Sequence, residues 1–189
     1  MAKKGSTSSK RQRRRNPKLF ILAIAGIAIL GMGAVTAITL SSAPAQQSAK
    51  FGGLASAHEH AAFVVKIDGT YLDFSDARYQ VMSPYIHVEN GVGTTLHKHA
   101  LLVPFGEFLH SVKMNVANDC FIMDDGKQYC QAGDKKLIFF VNEVERPSSD
   151  ITSYVLEDND RFLVIYGNET AEETQLELLR LEAIPIFRS

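Results

Sequence analysis

No G-x-S-x-G elbow, no phosphate-binding glycine loop and no H-E-x-x-H occurs in the 189 residues. The commonest signatures of serine hydrolases, nucleotide-binding enzymes and zinc proteases are therefore missing. Only two cysteines are present, Cys120 and Cys130, and they do not form the C-x-x-C of a dithiol redox motif. Residues 1–18 contain eight Lys or Arg and no acid, and the 22 residues from Leu19 to Leu40 contain no charge of either sign. Residues 58–189 hold 11 basic and 21 acidic residues, a net of −10, although the whole chain carries only −1. A basic arm and an acidic body separated by an uncharged run occupy different surroundings.

The run "LFILAIAGIAILGMGAVTAITL" is long enough to cross a hydrocarbon core of roughly 30 Å at about 1.5 Å per residue. The flanking "KRQRRRNPK" places residues 1–18 in the cytoplasm, as a basic cytoplasmic arm, and the acidic body outside. A cleaved signal peptide is the alternative, with "APA" at 43–45 as a cleavage site. Signal h-regions are typically about 7–15 residues, and this run is longer. The expectation is a single-pass cell-membrane protein with a transmembrane helix over 19–40. Its partner is then the lipid bilayer, with another membrane protein as a further candidate. Beside such a span the basic arm reads as a topology signal, not as a nucleic-acid site. Residues 41–57, "SSAPAQQSAKFGGLASA", read as a flexible tether. Residues 58–189 form the extracytoplasmic domain, large enough for one core.

That domain reads mostly as strands. "AAFVVKIDGTYLDFS" alternates and turns at Asp68-Gly69, which predicts a hairpin. "YIHVENGVGTTLHKHALLV" predicts a second strand pair around Asn90-Gly91. Phe105, Phe108, Leu109 and Val112 recur at helical spacing and predict a short helix with that stripe inward. "KKLIFFVNEVE" and "DRFLVIYG" read as further strands, and Thr170 with Glu173 forms a capping box that opens a closing helix. The fold class is α+β: a β-grasp-like mixed sheet with one short packing helix and a C-terminal helix.

"CFIMDDGKQYC" predicts a third hairpin. A three-residue loop, Asp124 to Gly126, sets Cys120 opposite Cys130. Opposed Cα atoms lie about 4.5–5.5 Å apart, within disulfide reach. A structural disulfide is the expectation and suits an oxidising, extracytoplasmic setting; two free buried thiols, a metal role and a redox role are the alternatives. Asn168-Glu169-Thr170 matches an N-glycosylation acceptor.

Five of the six histidines fall in "HEHA" (His58, His60), "IHVE" (His87) and "LHKHA" (His97, His99). Residues i and i+2 of a strand share a face, so each H-x-H pair projects together. His60 shares its face with Ala62, Val64 and Lys66, opposite Phe63, Val65 and Ile67. Imidazole suits copper, zinc, nickel and iron, and these elements offer three to five nitrogens. Copper or zinc is the expected cofactor, held through His58, His60, His97 and His99. A tight turn at Asn90-Gly91 sets His87 opposite Thr94 and away from the pairs, whereas one bulged residue brings it to their face. The alternatives are histidines bonded within the sheet and a pH-sensing cluster. Glu59 points away from its flanking histidines, and "HEH" is not the zinc-protease motif. No enzyme is expected.

"FFVNEVE…YVLEDNDRFLVIYG" resembles the closing strands of small β-grasp sulfur carriers. Their Gly-Gly tail is missing here, so the resemblance implies the fold and not the chemistry. Residues 58 to about 175 resemble a family of small, singly anchored membrane proteins of ammonia-oxidising archaea and various bacteria. The resemblance implies location and architecture, and the copper dependence of those archaea adds copper as an expectation. Two functions of different class follow: an anchored extracytoplasmic metal-binding protein that holds or delivers an ion, and a non-catalytic interaction module or accessory subunit of a membrane complex.

Overall fold

A computed structural model describes residues 51–188. The expected basic arm, the expected span over 19–40 and residues 41–50 of the expected tether lie outside the described residues. Among the described residues no helix is long and apolar enough to cross a membrane.

The described residues form ten strands and two α-helices. β1 (Glu59–Ile67) and β2 (Thr70–Tyr71) form the first hairpin, then come β3 (Ile86–His87), β4 (Thr95–Lys98) and helix α1 (Phe105–Ser111). β5 (Asn115–Ala117), β6 (Cys120–Ile122) and β7 (Gln128–Cys130) precede β8 (Lys136–Val141) and β9 (Val144–Arg146). β10 (Arg161–Gly167) and helix α2 (Ala171–Ala183) close the chain. The main sheet runs β3-β4-β1-β10-β8-β9, with β2 also on β1, and β5-β6-β7 form a small second sheet. β1 and β10 are parallel and the other pairs antiparallel, so the fold is α+β with a mixed sheet.

Local chemistry explains the elements. Asp68 and Gly69 both take positive φ, +48° and +77°, which gives the β1–β2 hairpin a turn matched to strand twist. Thr170 and Glu173 make the reciprocal capping box of α2. Gly106 lets α1 approach the 148–152 turn: a Cβ there would sit 2.4 Å from the Thr152 carbonyl oxygen. The alternation of β1 splits the interior into two layers. Phe63, Val65 and Ile67 meet the α1 stripe of Phe105, Phe108, Leu109 and Val112 in the larger core. Ala62, Leu163, Ile165 and Phe140 meet Leu178 and Leu181 of α2 on the other face. Central strands covered on both faces need apolar residues at successive positions, as "RFLVIYG" provides.

The Cys120–Cys130 disulfide is formed, across directly paired residues whose Cα atoms are 3.9 Å apart. Met123 N–H bonds the Lys127 carbonyl at 2.8 Å and closes the three-residue loop. Two arrangements differ from the sequence-based expectation. β3 and β4 are joined by a long connection and not a tight Asn90-Gly91 hairpin, and His87 pairs with His97. Residues 51–57 lie on the domain: Gly52 N–H bonds the Leu101 carbonyl at 2.9 Å, and Phe51 meets the Tyr85 ring at 5.5 Å. Small residues let this segment bond backbone to backbone.

Candidate functional site

Three adjacent strands build the histidine site. β4 lies between β3 and β1, with His87 opposite His97 and His97 opposite His60. That places His87, His97 and His60 in one row across the sheet. The next row is two residues along: with Glu59 opposite Lys98, His58 stands beside His99. All five side chains share the sheet face that α2 covers further along. The rings form a closed circuit. His58–His60, His60–His97, His97–His87, His87–His99 and His99–His58 have centroid separations of 4.7, 4.8, 6.0, 5.0 and 5.1 Å.

Burial grades across this circuit. His58 is exposed and His99 half-buried, whereas His60 and His97 are each 2% exposed and His87 6%. The C-terminal tail helps to seal the floor. Phe187 N–H bonds Thr95 Oγ1 at 3.3 Å, and Arg188 pairs with Asp158 at 3.2 Å. Asp158 also accepts the His60 backbone N–H at 2.9 Å.

The ring nitrogens are unevenly partnered. His87 Nδ1 lies 2.7 Å from the Ser83 carbonyl, so Nδ1 carries a hydrogen and donates it. His87 Nε2 then faces Glu89 Oε2 at 3.2 Å. A lone pair aimed at a carboxylate needs a cation between them, a proton or a metal ion. Both nitrogens of His60 and Nδ1 of His97 are buried with no hydrogen-bond partner. Their nearest carboxylates, Asp158 and Glu89, are each 3.7 Å away, too far for a hydrogen bond. Burial, more than any neighbouring charge, pushes the pKa of His97 down to about 4 and lowers those of His60 and His99. Neighbouring histidines push the same way, and Glu89 opposes them at His97 and His99. The floor imidazoles are therefore held neutral, the form that ligates metals.

Glu89 is a carboxylate at the site, facing His87 Nε2. It follows His87 by two residues, and strand parity alone would have placed it on the same face. Asp158 comes from the loop before β10, 98 residues from His60, and nothing local signals it. Glu59 behaves as expected and points to the opposite face, where it pairs with the buried Lys98. Lys98 Nζ also donates to the Leu156 carbonyl at 2.5 Å. His110 lies apart, exposed and bonded to Asn115 at 3.1 Å. Cys120 and Cys130 are joined to each other and contribute no thiolate. Asn168 is exposed just beyond β10.

Among the described residues no three His, Cys, Asp or Glu side chains are already converged as a metal's ligands would be. The rings pack against one another, His58–His60 and His60–His97 edge to face and His87–His97 stacked. A cavity of about 490 Å³ lies elsewhere, between the β1–β2 hairpin and α2, and contains none of the histidines. Its charged wall is internally bonded: Glu177 accepts from Lys66 at 2.9 Å and Arg180 at 3.0 Å, as well as from Tyr71.

Comparison with family models, curated proteins and solved structures gives no match to this chain.

Proposed function

We propose that this chain is a membrane-anchored, extracytoplasmic protein whose head binds copper or zinc through the five-histidine circuit, and holds or passes on that ion. The observation that carries the proposal is the unpartnered state of His60 and His97 at the floor. An imidazole taken out of water without a partner costs stability. Each neutral imidazole offers one lone pair, so His60 and His97, beside His87 and Glu89, fit a donor set awaiting a cation. His87 is prepared in the usual way, with Nδ1–H tied to a backbone carbonyl and Nε2 facing inward. His60, His97 and His87 would hold the ion, with His58 and His99 at the entrance. Nitrogen with one carboxylate suits zinc and copper(II). Binding would require the side chains to rotate until three or four nitrogens lie about 2.0 Å from one point.

The grading from exposed His58 to buried His60 favours an ion that enters and leaves from one side. The basic arm and uncharged run support the anchor and the orientation. The disulfide suits an oxidising compartment. The sheet order, with β1 parallel to the last strand and helix α1 across one face, supports the β-grasp reading.

The test is metal content of the untagged full chain, purified in detergent from medium supplemented with copper and zinc. The expected result is near-stoichiometric metal in the parent and its loss in His97→Ala/His99→Ala. No metal in either would remove the proposal.

A further inference from the structure

The open end of the histidine circuit is framed by three loops. Residues 51–57 turn back on the 100–102 turn: Gly52 N–H bonds the Leu101 carbonyl and Leu101 N–H bonds Ser56 Oγ, both at 2.9 Å. The 81–85 loop closes the other side, where the Tyr85 carbonyl accepts from His99 N–H at 2.8 Å. Its Ser83 carbonyl holds His87. These loops present Leu54, Val81, Met82, Leu101 and Leu102 to solvent, half of the ten large apolar side chains exposed among the described residues.

Two further features mark this end, the second of them found also at Lys113 and Glu143. None of residues 51–58, 80–88 and 99–106 is Asp, Glu, Lys or Arg, in a domain that carries 11 basic and 21 acidic residues. Each loop also holds a residue other than Gly, Asn or Asp in the left-handed region: Ala55 at +64°, Val81 at +54° and Leu102 at +62°. A branched side chain there is strained and persists only where the surroundings enforce it. Two of these three strained residues are themselves exposed apolar side chains.

From these observations we infer that this end docks on a lipid bilayer surface, setting the entrance of the histidine circuit at the membrane interface. The inference rests on the anchored reading above. The described chain enters the domain at this same end, at Phe51. Residues 41–50 are all that separate it from the uncharged run ending at Leu40. Ten residues reach roughly 35 Å at full extension. A tether so short makes the second contact intramolecular, at an effective concentration on the order of millimolar. A patch too weak to bind lipid alone then suffices. The acidic remainder of the head is repelled by anionic lipid, which leaves the charge-free end as the face able to approach. Phe51 and Tyr85, packed behind the rim, suit the headgroup level.

The chain has no tryptophan, so a single introduced one reports its own surroundings. Leu54→Trp places it in the rim. Val144→Trp, 59% exposed against 55% for Leu54, places it at the start of β9, on the other edge of the sheet. Each full chain is reconstituted with EDTA in phosphatidylcholine vesicles, with and without bromines on the acyl chains. The expected result is blue-shifted emission for Leu54→Trp, quenched at least twofold by brominated lipid, and no such effect for Val144→Trp. Adding Met82→Asp and Leu102→Asp should abolish the quenching. Equal quenching of the two reporters in chains that co-float with vesicles would overturn the docking and leave the rim to a protein partner. Quenching that survives both aspartates would also overturn it, because the introduced tryptophan would then be the contact. A chain that fails to co-float overturns the anchor, and the docking with it. No metal is present, so none of these outcomes bears on metal binding.

Discussion

Replacing His60 by leucine separates a binding role from a structural one. The side chain is 2% exposed, and both ring nitrogens are buried without a hydrogen-bond partner. Each unsatisfied buried group costs about 1–3 kcal/mol. Leucine removes both groups at similar volume, and a volume-conserving exchange costs less than about 1.5 kcal/mol. The His60 backbone bond to Asp158 is untouched. Metal-free His60→Leu should therefore be more stable than the parent by roughly 0.5–6 kcal/mol. For a domain of about 138 residues the unfolding entropy is about 0.3 kcal/mol/K, so the midpoint should rise by roughly 2–20 °C. Circular dichroism of thermal unfolding in EDTA reads it. Metal should shift the difference back toward the parent. An ion at about 100 times its Kd adds about 2.7 kcal/mol to the parent, roughly 9 °C, and little to the variant. A histidine placed for structure predicts the opposite in EDTA. A His60→Leu midpoint at or below the parent's, without metal, would refute the reasoning.

Three other outcomes follow from the same geometry. His97 has a folded-state pKa of about 4, below the unfolded value of about 6.5, so the unfolded chain binds more protons between these values. Metal-free stability should be flat above about pH 7 and fall by roughly 3 kcal/mol from pH 6.5 to pH 4 through His97 alone. Urea unfolding in EDTA should show this fall, and His97→Ala should flatten it. The Cys120–Cys130 bond closes a loop with a sequence separation of 10, which gives about 2.7 kcal/mol of loop entropy. Cys120→Ala/Cys130→Ala should lower the urea-unfolding free energy by about that amount, while metal content stays at the parent level. Gly106→Ala drives a Cβ to 2.4 Å from the Thr152 oxygen. It should cost about 1–3 kcal/mol, seen as a lowered thermal midpoint, because backbone and not a flexible side chain must move.

Much of this architecture is written in short-range pattern. Strand parity put His58 with His60 and His97 with His99 on common faces, and set the first pair opposite the Phe63 face. The turn residues Asp68-Gly69 and Asp124 to Gly126 fixed two hairpins, and the second aligned the cysteines. Thr170 and Glu173 announced α2. Each of these depends on residues within about ten positions, where backbone geometry leaves few choices. Tertiary structure decided the rest. The long connection between β3 and β4 set the register that brought His87 opposite His97, and a shift of one residue would have turned it away. Pairing of β4 with β1 then closed five imidazoles into one circuit. The Asp158 loop and the C-terminal tail, remote in sequence, sealed its floor and stripped water from His60. A histidine's partners and solvation belong to whatever packs against it, and no local pattern encodes a neighbour 98 residues away.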